Sequence, residues 1–290
     1  MNDFEIWPGP MEGVGKEEFV KAASELELTD RWMTPFIRIT DNIPAEKHLF
    51  RGIRAYLDTG LPVIVQLMGS DAALLTECAD ILLTSPLVSG INLNLGCPSG
   101  RVVKHNSGGG LLQNPEKAVS LCCTMAEKLP PGKFSVKLRS GFNSPDDMKK
   151  ILPQLSGSGV AKIFFHYRTV REAYSAAPLP ERNRRTAAAV KLCGEVPLIA
   201  NGDICSPEDA KNLLAETGAA GIMIARPWMR DPFLLRRFTG NPTDPESGRK
   251  RFFDALKKSG VRRGSLIEIA KMLWGISSPQ FRAVITAEQV

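Results

Sequence analysis

Short apolar runs alternate with longer amphipathic segments along most of the chain, a pattern typical of strands that are each followed by a helix. Eight of the apolar runs have the length of buried strands: Ile6–Pro8, Phe36–Ile39, Val63–Leu67, Ile91–Leu95, Phe134–Leu138, Ile163–His166, Leu198–Ala200 and Ile222–Ile224. Helices are predicted between them, several with Pro at the start: Ala72–Leu83, Pro115–Lys128, Pro145–Leu155 and Pro207–Thr217. The alternation predicts an α/β fold, a (β/α)8 TIM barrel, with a doubly wound open sheet as the competing arrangement.

The pattern changes near residue 240. Residues 240–248 are rich in Gly, Pro and acidic side chains and have the character of a linker. Beyond them, apolar residues recur at helical spacing, at Phe252, Phe253, Leu256, Leu266, Ile267, Ile269, Met272 and Leu273. We therefore predict a barrel domain over residues 1–239 and a small basic helical domain over residues 240–290.

Composition narrows the class of protein. The chain has 290 residues, of which 43% are hydrophobic, enough for a sizeable core. Its apolar runs are shorter than the ~20 residues of a membrane helix, and its acidic start lacks a signal-peptide pattern. Six cysteines show neither a Cys-x-x-Cys pair nor a histidine at zinc-ligand spacing. We expect a cytoplasmic protein with free thiols, and neither a membrane nor a metal as partner.

The charge is modestly basic and unevenly placed. The net charge is +6, and residues 241–290 hold nine Lys or Arg against five Asp or Glu. Such a tail indicates either an anionic partner or simply solvated helix faces, and charge alone does not decide between them.

The most unusual segment lies at the end of the fourth predicted strand. That strand ends abruptly in Gly96-Cys97-Pro98, so the thiol of Cys97 stands where the backbone leaves the sheet. A glycine-rich stretch, Gly108–Gly110, follows shortly afterwards. Glycine allows backbone to approach a ligand closely, so the pair of segments indicates a thiol beside a binding loop.

Residues that could contact a ligand recur at the strand ends, where the chemistry of a TIM barrel gathers. They are Pro10, Met11, Gln66, Asn94, Lys137, Arg139, His166, Arg168, Asn201, Gly202, Asp203, Ala225 and Arg226. Such a set suits a planar, electron-accepting cofactor: Gln66 could bind its polar edge, and Lys137 could stabilise negative charge on the reduced ring. Backbone amides after the last two strands could bind a phosphate. Individually, Gln66, His166 and Met11 also have structural explanations, and Asn201-Gly202-Asp203 has the composition of a turn.

Seven segments carry a family resemblance: Pro10-Met11-Glu12-Gly13-Val14, Val65–Gly69, Asn94–Pro98, Val136–Arg139, His166–Thr169 with Tyr174, Ile199–Ile204 and Ile224–Arg226. Together they resemble the flavin-dependent tRNA-dihydrouridine synthases, and Glu12 resembles the bacterial DusC-like branch. The chain departs from the usual family pattern at Asn92, where Asp is common, and at Ala225, where Gly is common. Pro227 also removes an N–H that could have bound a phosphate.

The resemblance implies reduction of a uridine C5–C6 double bond in tRNA. NADPH, or alternatively NADH, would reduce FMN, flavin N5 would deliver hydride to C6, and Cys97 would protonate C5. FMN contacts are implied for Pro10, Met11, Gln66, Lys137, His166, Asn201, Gly202, Asp203, Ala225 and Arg226. Substrate contacts are implied for Asn94, Arg168 and Tyr174. The partner would be tRNA, bound by a monomer through the basic tail and Arg182–Arg185, and the DusC-like opening suggests position 16 as the target.

Two alternatives remain open from the sequence. One is a flavin barrel that reduces a small pyrimidine, akin to dihydroorotate or dihydropyrimidine dehydrogenases, against which the basic tail argues. The other is an RNA-binding relative that has lost flavin turnover, for which Ala225 and Pro227 are the support.

Overall fold

A computed structural model describes residues 4–10, 17–175 and 178–287. Its strands are β1 (Glu5–Pro8), β2 (Trp32–Met33), β3 (Ile37–Arg38), β4 (Val63–Met68), β5 (Val88–Leu95), β6 (Phe134–Arg139), β7 (Lys162–His166), β8 (Leu198–Asn201) and β9 (Gly221–Ile224). Its helices within the barrel are α1 (Glu17–Glu25), α2 (Glu46–Leu57), α3 (Ala72–Leu83), α4 (Gly100–Lys104), α5 (Pro115–Lys128), α6 (Met148–Leu155), α7 (Leu179–Leu192), α8 (Pro207–Thr217), α9 (Arg226–Arg230) and α10 (Leu234–Phe238). The last three helices are α11 (Pro245–Lys258), α12 (Arg263–Trp274) and α13 (Pro279–Thr286), and 3-10 turns span Gly108–Gln113 and Pro145–Asp147.

The strands form a nearly closed parallel barrel. Their order in the sheet is β1-β9-β8-β7-β6-β5-β4-β2, and β1 and β2 at the two ends lie against each other. The order therefore follows the sequence around a ring, whereas a doubly wound sheet reverses direction in its middle. The predicted TIM barrel is confirmed, and the open sheet is excluded.

The second barrel strand is interrupted, which the sequence did not indicate. We predicted one strand at 36–39, but two short strands pair with β4, Trp32 beside Val63 and Ile37 beside Leu67. Pro35 lies between them and has no N–H to continue the ladder. The hydroxyl of Thr34 instead accepts from the backbone N–H of Gln66, so the interruption lies beside a candidate site residue.

The inside of the barrel is packed with side chains. Trp7, Met33, Phe164, Ile199 and Met223 form a separate apolar cluster there, with the Trp7 and Phe164 rings in edge-to-face contact at 5.3 Å. The larger core lies between the strands and the surrounding helices. The interior is therefore a core rather than a pore, as is usual for this fold.

The last three helices pack against the barrel. The ring of Phe252 on α11 contacts Phe19 on α1 at 5.1 Å, and α12 lies against α9. Gly248 fits tightly, because a Cβ there would come within 2.9 Å of Phe233. The division of the chain at residues 239 and 240 stays a prediction. Within the described residues, no helix has both the length and the apolar character that crossing a membrane requires.

Candidate active site

A cleft of about 930 Å³ opens at the carboxyl ends of the barrel strands, within the ~300–1,000 Å³ range of ligand pockets. Twelve of the fourteen predicted site residues line it: Pro10, Gln66, Asn94, Cys97, Lys137, His166, Tyr174, Asn201, Gly202, Asp203, Ala225 and Arg226. Met11 lies outside the described residues. Arg168 is described but does not line the cleft.

The backbone groups of the turn that carries Cys97 are held by Asn94 and Gly109. The Oδ1 atom of Asn94 accepts from the N–H groups of Gly96 and Cys97, both at 3.0 Å. The carbonyl of Cys97 accepts from the Gly109 N–H at 3.1 Å, and a Cβ at residue 109 would lie 2.7 Å from that carbonyl oxygen. Glycine is therefore needed at residue 109 for the stretch to pack closely on this turn. The turn carries a half-buried free thiol at the cleft.

Asn94 and Gln66 are bonded to each other. The Nδ2 group of Asn94 donates to Oε1 of Gln66 at 2.7 Å, and Nε2 of Gln66 donates to Oδ1 of Asn92 at 2.8 Å. The Oδ1 atom of Asn94 already accepts from the Cys97 turn, so the second N–H of its Nδ2 group is what remains for a substrate.

Lys137 is a cation without a counter-charge. It lies on β6 beside Asn94 and makes no hydrogen bond or ion pair with any side chain of the described residues. Burial lowers its pKa to about 8, the charge of Arg139 contributes in the same direction, and Cys97 partly opposes it. An unpaired, poorly hydrated ammonium is suited to an electron-rich or anionic ligand group.

Arg139, at the end of β6, donates hydrogen bonds to the backbone of two loops. Its Nε donates to the Gly96 carbonyl at 2.8 Å, and its Nη1 donates to the Thr169 and Ala173 carbonyls at 3.0 and 2.7 Å. Burial lowers its pKa to about 10. It therefore ties the Cys97 turn to the loop that carries Tyr174.

Tyr174 is exposed but flanked by cations. Its ring lies 5.4 Å from the guanidinium of Arg139 and 4.8 Å from that of Arg226, while 59% of the residue remains accessible. An aromatic ring held in this way offers a stacking surface at the edge of the cleft.

Asp203, in the loop after β8, accepts hydrogen bonds from three side chains. Its carboxylate accepts from the Tyr167 hydroxyl at 2.8 Å, from Nη2 of Arg168 at 2.5 Å and from Nη2 of Arg226 at 2.9 Å. Burial would raise its pKa, but the hydrogen bonds from Arg168 and Tyr167 outweigh it and lower the pKa. Asp203 thus stays ionised and orients arginines rather than meeting an anion itself.

Arg168 lies behind the cleft. It is 2% exposed, pairs with Asp203 and donates through Nε to the Ser175 carbonyl at 2.6 Å. His166, by contrast, borders the cleft, and burial together with Arg139 and Lys137 lowers its pKa well below the ordinary value. His166 is therefore neutral at physiological pH.

The loops after β8 and β9 leave backbone donors free. The Nδ2 group of Asn201 donates to the Met223 carbonyl at 2.8 Å. Gly202 has φ +119°, and a Cβ there would lie 2.7 Å from Cδ2 of His166. Within the described ranges, the N–H groups of Gly202, Asp203, Ala225 and Arg226 have no protein acceptor. Clustered free amides of this kind bind anions such as phosphate.

The expectation that Arg182–Arg185 binds RNA phosphates is wrong for two of its arginines. Arg182 is buried, pairs with Asp209 at 2.7 and 3.0 Å, and donates to the Asp203 carbonyl at 3.1 Å. Arg185 is largely buried against Glu172 and Glu181. Such buried pairs cannot turn outward to RNA without leaving charges unpaired, and Arg182 instead supports the Asp203 loop.

The last helices also contribute to the cleft. Its outer side is lined by Arg249 on α11 and, on and after α12, by Glu268, Lys271, Met272, Leu273, Trp274 and Gly275. The basic, amphipathic tail indicated a binding surface, but its placement over the mouth depends on the packing of α12 against α9.

A family model described as dihydrouridine synthase matches residues 8–260. The tRNA-dihydrouridine(16) synthase of Vibrio parahaemolyticus is 31% identical over 75% of this chain and 68% of its own length. The enzyme of the same name from Cupriavidus necator is 31% identical over 83% of this chain and 76% of its length.

Solved structures with a similar fold include the old yellow enzyme from Trypanosoma cruzi, with a TM-score of 0.58, 9% identity and coverage of 88% of this chain and 93% of that one. A variant of NCR from Zymomonas mobilis has a TM-score of 0.55 and 16% identity, covering 81% of this chain and 86% of that one. At these identities the likeness concerns the fold.

Proposed function

The chain belongs to the dihydrouridine synthase family, and from that premise we propose that it reduces the C5–C6 double bond of a uridine in tRNA to 5,6-dihydrouridine. One observation above all supports the proposal: the thiol of Cys97 and the unpaired ammonium of Lys137 line one cleft at the barrel mouth. The first group can give a proton, and the second can stabilise negative charge.

The residues present fit FMN. Free backbone amides at Gly202, Asp203, Ala225 and Arg226, with the guanidinium of Arg226, would hold its phosphate. Gln66 would bind its polar edge, and Lys137 would lie by its ring. When bound and reduced by NADPH, or by NADH in its place, FMN supplies the hydride that adds to C6 of the uracil.

Cys97 would complete the reaction by donating its Sγ proton to C5. A thiol held beside the reacting carbon can act as a general acid. The Asn94 and Arg139 hydrogen bonds hold the backbone of the turn that carries the thiol, which would help to position the thiol for proton transfer.

Tyr174 and the last helices would receive the RNA. The target base has to leave its stack to reach the mouth, and Tyr174 offers it an exposed ring for stacking. Lys271 and Arg249 border the same cleft and would bind RNA phosphates. Arg168 would act indirectly, through Asp203.

Position 16 is the first tRNA position to test, because relatives carry that number in their names. We further propose that the protein is a monomer and that it is cytoplasmic. The six free cysteines support the second point, since thiols persist in a reducing compartment.

The decisive experiment maps dihydrouridine in tRNA from cells with and without this gene, and from deleted cells given the Cys97→Ala variant. We expect loss of the base at one position, restoration by the wild-type gene and no restoration by the variant. An unchanged dihydrouridine map in cells that lack the gene, with no redundant enzyme expressed, would contradict the proposal that the protein reduces uridine in tRNA. Turnover of free uracil derivatives by the purified flavoprotein would then favour the small-pyrimidine alternative.

A further inference from the structure

Four buried polar side chains form one continuous line of hydrogen bonds across β4, β5 and β6: Gln66, Asn92, Asn94 and Ser135. Ser135 Oγ donates to the Ile91 carbonyl at 3.2 Å and accepts from Asn92 Nδ2 at 2.9 Å. Gln66 then donates to Asn92, and Asn94 donates to Gln66, as described above. We call this line the cross-strand relay.

Both ends of the cross-strand relay allow a single direction. The Ile91 carbonyl can only accept, so the hydroxyl of Ser135 donates its one hydrogen there. Towards Asn92 the same hydroxyl can then only accept. At the other end, the Gly96 and Cys97 amides can only donate, so Asn94 has to turn its oxygen towards them. Every amide between these ends therefore has one orientation.

This direction determines what Gln66 can offer to a ligand. Its Nε2 group donates to Asn92 and lies 3.7 Å from the sulfur of Met33, while its Oε1 accepts from Asn94 and keeps a second lone pair. Gln66 borders the cleft, whereas Asn92 and Ser135 do not. Gln66 is thus held as a hydrogen-bond acceptor towards whatever occupies the cleft.

We propose that Asn92 and Ser135 are positioning residues, which act through the cross-strand relay to hold Gln66 as an acceptor for the cofactor and Asn94 on the Cys97 turn. The identity of the cofactor rests on the function proposed above, but the effect on the turn does not. Asparagine suits residue 92 because a carboxylate there could not donate to Ser135 and would draw the Ser135 proton away from Ile91.

A double-mutant cycle on flavin binding tests the relay. Asn92→Leu keeps the branching of the side chain but removes both polar groups, and Ser135→Ala removes the hydroxyl. Each variant should weaken FMN binding about tenfold, the effect of roughly one lost hydrogen bond. The double variant should also lose only about tenfold in FMN affinity, because one break already interrupts the relay. A loss of about a hundredfold in the double variant would show two independent contributions and contradict the relay.

Amide hydrogen exchange in the cofactor-free protein provides the second readout. Asn92→Leu should accelerate exchange at Gly96 and Cys97, because Asn94 loses part of its support. Thr76→Val is the matched control, since its buried hydroxyl bonds only within α3, and it should change neither readout.

The outcomes separate this inference from the proposed function. Folded Asn92→Leu protein with wild-type FMN affinity, or with unchanged exchange at the turn, would overturn the positioning role. Wild-type protein that binds no FMN would instead overturn the flavin part of the proposed function, and exchange at Gly96 and Cys97 would still decide whether the relay supports the turn.

Discussion

Lys137 and Lys162 lie on neighbouring strands of one barrel but have opposite surroundings. At the start of β7, Lys162 contacts both carboxylate oxygens of Glu5 at 2.5 and 2.6 Å and lies 5.1 Å from the ring of Trp7. At the mouth, the ionisable neighbours of Lys137 are Arg139, Cys97 and His166, none of them a carboxylate, and its pKa falls to about 8. One lysine is paired by the protein, and the other is left for a ligand.

The two ends of the barrel therefore differ in how a lysine affects stability. The Lys162–Glu5 pair links β7 to the non-adjacent strand β1 at the bottom of the barrel, and a role in stability is expected of the face opposite a TIM-barrel active site. Keeping an unpaired cation at the mouth costs stability, which is typical of functional sites. Changes at the mouth should therefore affect chemistry more than folding, and changes at the bottom should do the reverse.

The largest effect should come from Cys97→Ala, which removes the thiol from the mouth. We expect dihydrouridine formation to fall by about 10²–10⁴-fold, the usual contribution of a general acid. Reduction of bound flavin by NADPH and the thermal midpoint should remain near wild type. Stopped-flow absorbance and dihydrouridine mapping measure the two half-reactions separately. Cys123→Ala, a half-buried thiol on α5, is the control and should leave both unchanged. Equal loss of both half-reactions would contradict the role of acid.

Lys137→Met should separate function from stability. We expect tRNA reduction to fall about 10²–10³-fold, as when one charge-stabilising donor is removed. The cofactor-free variant should nevertheless be more stable by about 1–2 kcal/mol, less than the full pKa shift implies because the side chain faces the cleft. Urea unfolding measures this gain. A variant that is less stable than wild type would mean that the lysine has a partner in the protein after all.

Lys162→Met should have the opposite pattern. It leaves the Glu5 carboxylate with Trp7 at 2.7 Å and with a distant Arg31 at 3.9 Å. We expect a loss of about 1–2 kcal/mol in the free energy of unfolding, as for a charged hydrogen bond in a partly exposed pair. Turnover per folded molecule should stay within about twofold. Loss of turnover in folded protein would refute the division between mouth and bottom.

The sequence predicted which residues line the cleft, but it did not predict the buried ion pairs that hold the surrounding loops. Gln66, Cys97, Lys137 and Arg226 were found because parallel strands bring their carboxyl ends together, so order along the chain gives proximity. The orientation of an arginine depends instead on distant partners. Arg182 looked like an RNA contact, but Asp209, 27 residues away, holds it in the protein.

Other features left no periodic signal. A strand of two residues, Trp32–Met33, is too short for an alternating pattern, and Pro35 concealed its continuation at Ile37. Asn92 was visible as a departure from the family pattern, but its role depends on Gln66 and Ser135, which pair with it across strands. Cross-strand register of this kind is set by the fold and not by neighbours in sequence.

The smallest expected effect is a change with pH in how much Lys137→Met raises the free energy of unfolding. Burial lowers the pKa of Lys137 from 10.5 to about 8, so between these values the unfolded chain holds a proton that the folded chain has released. This lysine therefore makes the free energy of unfolding rise with pH in that interval. Buried thiols act oppositely, since burial raises the pKa of Cys78 to about 11 and that of Cys193 to about 12.

The buried thiols contribute equally to the stability of the Lys137→Met variant and of wild type. The difference between the two proteins therefore reports the contribution of the lysine. Urea unfolding at intervals from about pH 7 to about pH 10.5 should show the advantage of about 1–2 kcal/mol shrinking towards zero as the wild-type lysine loses its charge. A difference that stays constant over this range would assign it to packing of the methionine. The unpaired charge would then not be what distinguishes the mouth of this barrel from its bottom.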